Sequence, residues 1–185
     1  MRVIGGSLKG KRFKSFDDYT NPMIRPTSDR VKESMFNILV HKFGINFSGL
    51  RVLDLFSGTG AIGLEALSRG ASSVTFCEIN KSACRLIRDN AKELGIEENI
   101  SIMQSDCLNI GKSRCNPFRL IFMDPPYGQY LGEKVINNLM IGKWATSESL
   151  IVVEDSVEMM STKGFQILEN RKYGKTVLSF AKALI

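Results

Sequence analysis

From residue 51 onward, short apolar runs alternate with segments of helical periodicity. Arg51-Val52-Leu53-Asp54-Leu55-Phe56 reads as a strand, 60–70 as a helix, 73–78 as a strand, 81–94 as a helix, and 100–104 as a strand leading into a loop through Asp106. Strand 119–123, helix 131–141 and strand 149–154 follow. The last apolar runs, 164–168 and 175–180, can pair as a hairpin around Tyr173-Gly174. Strands alternating with helices imply a mainly parallel sheet covered on both faces, and the final hairpin adds an antiparallel strand. Ahead of this block, Val31, Met35, Ile38 and Leu39 share one helical face, and Thr27-Ser28-Asp29 supplies an N-cap. Residues 2–15 pattern as a hairpin flanking Gly5, Gly6 and Gly10; residues 17–27, with Pro22 and Pro26, read as irregular.

Length and composition narrow the class. At 185 residues, 43% hydrophobic and 24% charged, the chain fits one domain with a real core. No apolar run approaches the roughly 18 residues that span a bilayer, and Met1-Arg2-Val3-Ile4-Gly5-Gly6 has no signal-peptide core. A cytoplasmic protein without membrane contact is expected. Cys77, Cys84, Cys107 and Cys115 show no CxxC spacing, so reduced thiols and no metal site are expected. The single histidine, His41, argues against Ser-His or Cys-His catalysis; it reads as a polar residue at a helix end.

Three clusters carry candidate chemistry. The apolar run Leu120-Ile121-Phe122-Met123 stops at Asp124-Pro125-Pro126-Tyr127. Two prolines fix φ and remove two backbone donors, and the residue before a proline is held extended. The carbonyls of Asp124 and Pro125, with the Asp124 carboxylate, then form an acceptor-rich pocket suited to an exocyclic NH2 group. Tyr127 offers a flat face for a base. The alternative is a Pro-Pro turn capping a buried strand, with Tyr127 on the core's edge.

Upstream, strand 51–56 runs into Ser57-Gly58-Thr59-Gly60-Ala61-Ile62-Gly63 and then a helix. Strand, glycine turn and helix form the context in which a GxGxxG pattern means nucleotide binding. Glu78, at the end of the next strand, stands about 20 residues past the glycines, where the fingerprint asks for a ribose-binding acid. Asp54 lies directly before the glycines. A carboxylate there repels a pyrophosphate but suits a cationic amino group, which S-adenosylmethionine has; the alternative is that Asp54 caps the loop. Asp106, just past the third strand, fits an adenine amino group, or else forms an Asx turn. Asp54, Glu78, Asp106 and Asp124 all fall at strand ends, on one rim. Together they make methyl transfer to nitrogen the leading reading.

Charge adds a partner. Residues 1–32 hold eight Lys or Arg and three acids, so they carry +5 of the chain's +6. A basic arm (Arg2, Lys9, Lys11, Arg12, Arg25, Arg30 and the neighbouring lysines) on a near-neutral body is a footprint of phosphate-backbone binding, although such arms can be merely solubilising. With so little core of its own, the hairpin is expected to project toward a partner.

These residues resemble the class I S-adenosylmethionine-dependent methyltransferases, and within them the RsmD-type family of 16S ribosomal RNA guanine-N2 methyltransferases. The likeness rests on Met1-Arg2-Val3-Ile4-Gly5-Gly6 with Lys9-Gly10-Lys11-Arg12, on Arg25-Pro26-Thr27 with Arg30-Val31-Lys32-Glu33, and on Leu53–Gly60. It also covers Gly63–Ala71, Asp124–Tyr127 and Lys172-Tyr173-Gly174. Asp-Pro-Pro-Tyr alone is shared with adenine-N6 methyltransferases. Lys11-Arg12 inverts the family's order, and Cys107 stands where a small residue would be unsurprising.

The resemblance implies a Rossmann-like α/β fold with a seven-stranded sheet, residues 1–24 as an RNA-contacting arm and 25–185 as the methyltransferase domain. It assigns Asp54, Phe56, Gly58 and Gly60 to the methionine part of the cofactor, Glu78 to ribose, Asp106 to adenine, and Asp124–Tyr127 to the target base, with Cys107 counted among the cofactor-binding residues. It implies action on 16S rRNA within a small-subunit assembly particle; a monomer is expected. An adenine-N6 DNA methyltransferase is the main alternative, disfavoured because no added segment is large enough to read a DNA sequence.

Overall fold

The computed structural model describes residues 1–15, 28–126 and 131–184. Seven strands form one sheet in the order β3-β2-β1-β4-β5-β7-β6. They are β1 (Arg51–Leu55), β2 (Ser73–Glu78), β3 (Ile100–Gln104), β4 (Leu120–Met123), β5 (Leu150–Asp155), β6 (Phe165–Tyr173) and β7 (Thr176–Ala183). The first five run parallel; β7 is antiparallel to β5 and to β6. The helices are α1 (Asp29–His41), α2 (Ala61–Ser68), α3 (Lys81–Leu94) and α4 (Leu131–Ile141). Helix α1 and every strand and helix expected from residue 51 onward are present among these, with ends within three residues of expectation except β6, which runs five residues further. No helix among the described residues is long and apolar enough to cross a membrane.

Two-residue periodicity sorts the core onto two faces. Val52, Val74, Phe76, Phe122 and Val152 join Met35, Phe36, Leu39 and the apolar side of α2 and α3. Leu53, Leu55, Ile121, Met123, Ile151 and Val153 face Val135, Ile136, Leu139 and Trp144. The same alternation sends Asp54, Glu78 and Glu154 toward the α1–α3 side. Each parallel strand ends at one rim, where strands in such sheets present ligands.

The amino-terminal segment differs from expectation. It folds back on itself, with a single antiparallel bridge, Arg2 to Arg12, yet it does not stand off from the body. Val3 and Phe13 are buried in the main core. The Ile4 and Gly5 amides donate to the Glu65 carboxylate at 2.7 and 2.8 Å, and the Leu8 amide donates to Ser68 Oγ at 2.9 Å. Gly6, at φ 78°, lies so close that a Cβ would meet the Ser68 carbonyl oxygen at 1.9 Å. The bend at residues 6–10 is therefore pinned beside the last turn of α2.

Lys32 also departs from the sequence reading. Counted there as part of a basic arm, it is 1% exposed. Its ammonium donates to the Arg2 carbonyl at 2.8 Å and stands 3.8 Å from Glu65 Oε2. Burial lowers its pKa, and the Glu65 charge works against that shift. Phe36 and Lys32, rather than Ile38, complete the buried stripe of α1.

Candidate active site

The turn after β1 is held from beneath. Phe56 takes φ 56°, a left-handed conformation unusual for a side chain of this size. Its amide donates to Cys107 Sγ at 3.3 Å, and the Cys107 thiol donates to the Cys77 carbonyl at 3.4 Å. Ser57 Oγ donates to the Asp54 carbonyl at 2.6 Å, and the Gly60 amide to the Ser57 carbonyl at 2.7 Å. Gly60 sits at φ 77°, where a Cβ would stand 2.9 Å from Ile87; at Gly63 a Cβ would come within 2.3 Å of the Phe76 ring. Glycine is thus demanded by conformation at Gly60 and by helix–sheet contact at Gly63.

The acids of the rim are engaged with this turn. Asp54, 3% exposed, accepts the Gly63 amide at 3.0 Å. Glu78 accepts the Gly58 amide at 2.9 Å with one oxygen and the Asn80 amide at 2.8 Å with the other. Burial, together with the nearby Glu78 charge, raises the Asp54 pKa to about 8 against the relief given by the Gly63 amide. Asp106 caps a short 3-10 turn, Cys107–Asn109, accepting from the Leu108 amide at 2.9 Å and Asn109 Nδ2 at 2.8 Å. The Asx-turn geometry is therefore present at Asp106. Cys107 is buried under the Phe56 turn.

Asp124 continues β4, its amide donating to the Leu55 carbonyl at 3.4 Å. Pro125 is buried and Pro126 exposed. In the β4–β5 register Met123 faces Val153, so Asp124 stands next to Glu154, which is 5% exposed. Burial first, then the charges of Glu154, Asp54 and Asp155, push the Asp124 pKa well above the ordinary carboxylate range. The structure thus brings Asp54, Phe56, Gly58, Gly60, Glu78, Asp106, Cys107, Asp124, Pro125 and Pro126 to one rim. Tyr127 lies outside the described residues.

The basic residues are spread more widely. Lys9, Lys11, Arg12 and Arg30 are exposed, and Arg2 forms an ion pair with Asp29 at 2.8 Å. The residue 6–10 bend sits at the end of α2 remote from the glycine turn, and that eight-residue helix is about 12 Å long. Arg25 lies outside the described residues.

Two features escaped the sequence reading. Glu65 is fully buried and gathers Ile4, Gly5, Lys32 and Arg69, whose Nε donates to it at 2.8 Å. A lone acid among apolar neighbours in Ala61-Ile62-Gly63-Leu64-Glu65-Ala66-Leu67 was the available signal. Glu154, ending the all-apolar run Leu150-Ile151-Val152-Val153, was the other.

The backbone donors around the head of α2 bear on which cofactor chemistry fits. A pyrophosphate would use them. Here Gly58 and Gly63 amides already serve Glu78 and Asp54, and the two carboxylates repel one another. This donor set suits a phosphate-free cation better than a pyrophosphate.

Fold and rim define a methyltransferase of Rossmann-like architecture. The chain belongs to the family described as conserved hypothetical protein 95, whose profile matches residues 1–182. It is 39% identical over 153 residues to the ribosomal RNA small subunit methyltransferase D of Buchnera aphidicola from Acyrthosiphon pisum, covering 82% of this chain and 76% of that one. The protein of the same name from Escherichia coli K12 is 35% identical over 158 residues, covering 85% and 76%. The solved structure of a methyltransferase candidate from Escherichia coli, yhhF, superposes with a TM-score of 0.83 at 30% identity, over 99% of this chain and 97% of that one. The likeness read from the motifs therefore extends over nearly the whole chain. Such relatives imply a cofactor of the S-adenosylmethionine type.

Proposed function

We propose that this chain transfers the methyl group of S-adenosylmethionine to the exocyclic N2 of a guanine in 16S ribosomal RNA of the small subunit. The observation that carries the reading is the juxtaposition of a glycine turn already neutralised by Asp54 and Glu78 with the Asp124-Pro125-Pro126 strand end on the same rim. The names of the relatives supply the RNA class.

When bound, the cofactor supplies a methyl group on a positively charged sulfur, which departs as a neutral thioether. The protein's task is then chiefly to position the acceptor. Asp54 and Glu78 provide the negative field that favours a cation, and Phe56, Gly58 and Gly60 form the turn against which the methionine portion lies. Glu78 retains lone pairs for ribose hydroxyls; Asp106 and Cys107 border the adenine end. Asp124 and the Pro125 carbonyl accept the two N–H bonds of the guanine amine, which localises its lone pair toward the methyl. Tyr127 stacks on the base, held out of its helix or loop. As the C–N bond forms, the amine becomes acidic, so its proton passes to solvent without a dedicated base.

Residues 1–24 act as an arm carrying Arg2, Lys9, Lys11 and Arg12 to the RNA, joined by Arg25 and Arg30, while 25–185 form the catalytic domain. An arm this small cannot read a sequence, so the substrate is a preformed assembly particle, met in the cytoplasm by a monomer.

Purified protein with tritiated S-adenosylmethionine and small subunits from cells lacking this gene should yield labelled N2-methylguanosine. Label in N6-methyladenine on added DNA, with none on ribosomal RNA, would replace this reading with the DNA enzyme.

A further inference from the structure

Lys172-Tyr173-Gly174 matches the family yet has no part in the chemistry above. Its position follows from the register. Asp155, the last residue of β5, faces Val177 of β7, and Val177 faces Lys172 of β6. One row inward, Glu154 faces Leu178, and Leu178 faces Arg171. Asp124 stands on the other side of Glu154. The β6–β7 turn, Gly174-Lys175, therefore overhangs the same rim as Asp124. At about 4.8 Å per strand, Arg171 lies roughly three strands, or about 14 Å, from Asp124 along this row.

The tip is strongly basic and preformed. Residues 170–185 contain Arg171, Lys172, Lys175 and Lys182 and no acid. Lys172 and Lys175 are exposed. Arg171 and Lys42, the residue capping the C-terminus of α1, both pair with Glu169, so the hairpin is tied to the body below its tip. Tyr173 packs against the main core. Gly174 takes φ 63° with open space where a Cβ would stand, so the glycine there serves the turn's conformation alone. By contrast, the bend carrying Lys9 and Lys11 is fixed at the far end of α2.

We infer that the β6–β7 tip, through Lys172 and Lys175, grips RNA backbone phosphates beside the target nucleotide. This rests on the RNA methyltransferase reading. A preformed cationic tip loses little freedom on binding, so its charges act on affinity and orientation and not on the methyl transfer itself.

The test is steady-state methylation of small subunits from cells lacking the gene, by wild type and by Lys172→Glu/Lys175→Glu, from about 50 to 200 mM salt. The milder Lys172→Gln/Lys175→Gln serves as a second variant. Expected is a rise in KM for subunits of about tenfold or more, with kcat at saturation and cofactor affinity unchanged. The dependence of log KM on log salt should flatten by about one to two, near 0.9 for each phosphate released. Unchanged KM and salt slope in both variants would overturn the inference while leaving the methyltransferase reading intact. Absence of N2-methylguanosine from the wild-type reaction would instead remove the reading beneath it.

Discussion

Asp124 and Asp54 illustrate how one residue type takes different duties from its surroundings. Both carboxyls are raised in pKa chiefly by burial, Asp54 to about 8, yet only Asp54 is tied to an amide of the glycine turn. Asp124 stands instead at the end of a strand, before two residues that cannot donate. Its role as acceptor is thus tested most directly by removal. Asp124→Ala should lower kcat by about 100-fold or more, the scale of losing one positioned polar contact in an active site, while cofactor affinity changes little. Single-turnover kinetics with isothermal titration of the cofactor would check both; near-normal turnover would sink the assignment. Residue types at strand ends made this much legible in the sequence. The Asx turn at Asp106 was legible as an alternative; the Gly58 and Asn80 amides on Glu78 were not, because they depend on turn geometry and not on residue identity.

Element α2 carries more than its length suggests. It begins at the glycine turn and ends against the amino-terminal bend, and every one of its residues is buried. The sequence showed its apolar pattern and its glycines. It did not show that Glu65 is the acceptor for the segment at residues 4–5, sixty positions away, since charge alone reads as a solvent-facing residue. That contact replaces the projecting hairpin with a docked one and draws Lys32 inside. Glu65→Ala leaves the buried Lys32 without its counter-charge, and Arg69 and two backbone amides without their acceptor, and should cost about 3–5 kcal/mol in urea unfolding. Adding Lys32→Met should recover part of that loss, because the pair is then removed together. A loss below about 1 kcal/mol for Glu65→Ala would show that water takes over those donors and that the amino-terminal segment is loosely held.

Across the whole molecule, the pattern of strands and helices, down to the final hairpin, was legible because hydrophobic period decides which faces are covered. The distribution of charge was less so: summing the first 32 residues hid both the burial of Lys32 and the cations of the β6–β7 tip. The acids gathered on the rim have a consequence for the entire fold. An unfolded aspartate ionises near 3.9, whereas Asp54 in the folded chain ionises near 8 and Asp124 is raised as well. Below about pH 4 both states hold these protons and the groups do not affect stability. Between about 4 and 8 the unfolded chain has released them and the folded chain has not, so raising the pH favours unfolding. Above about 8, the penalty from Asp54 is complete. Without cofactor, Tm should therefore fall between pH 5 and pH 8, and Asp54→Asn should flatten that slope. A cationic cofactor favours the ionised rim, so S-adenosylmethionine should raise Tm more at pH 8 than at pH 5, with proton release on binding at pH 6.5. Thermal unfolding at these pH values, with and without the cofactor, decides the matter. An apo Tm that holds level or rises over this range would mean that the rim acids are ionised in the free protein, and that the cation enters a field already charged to receive it.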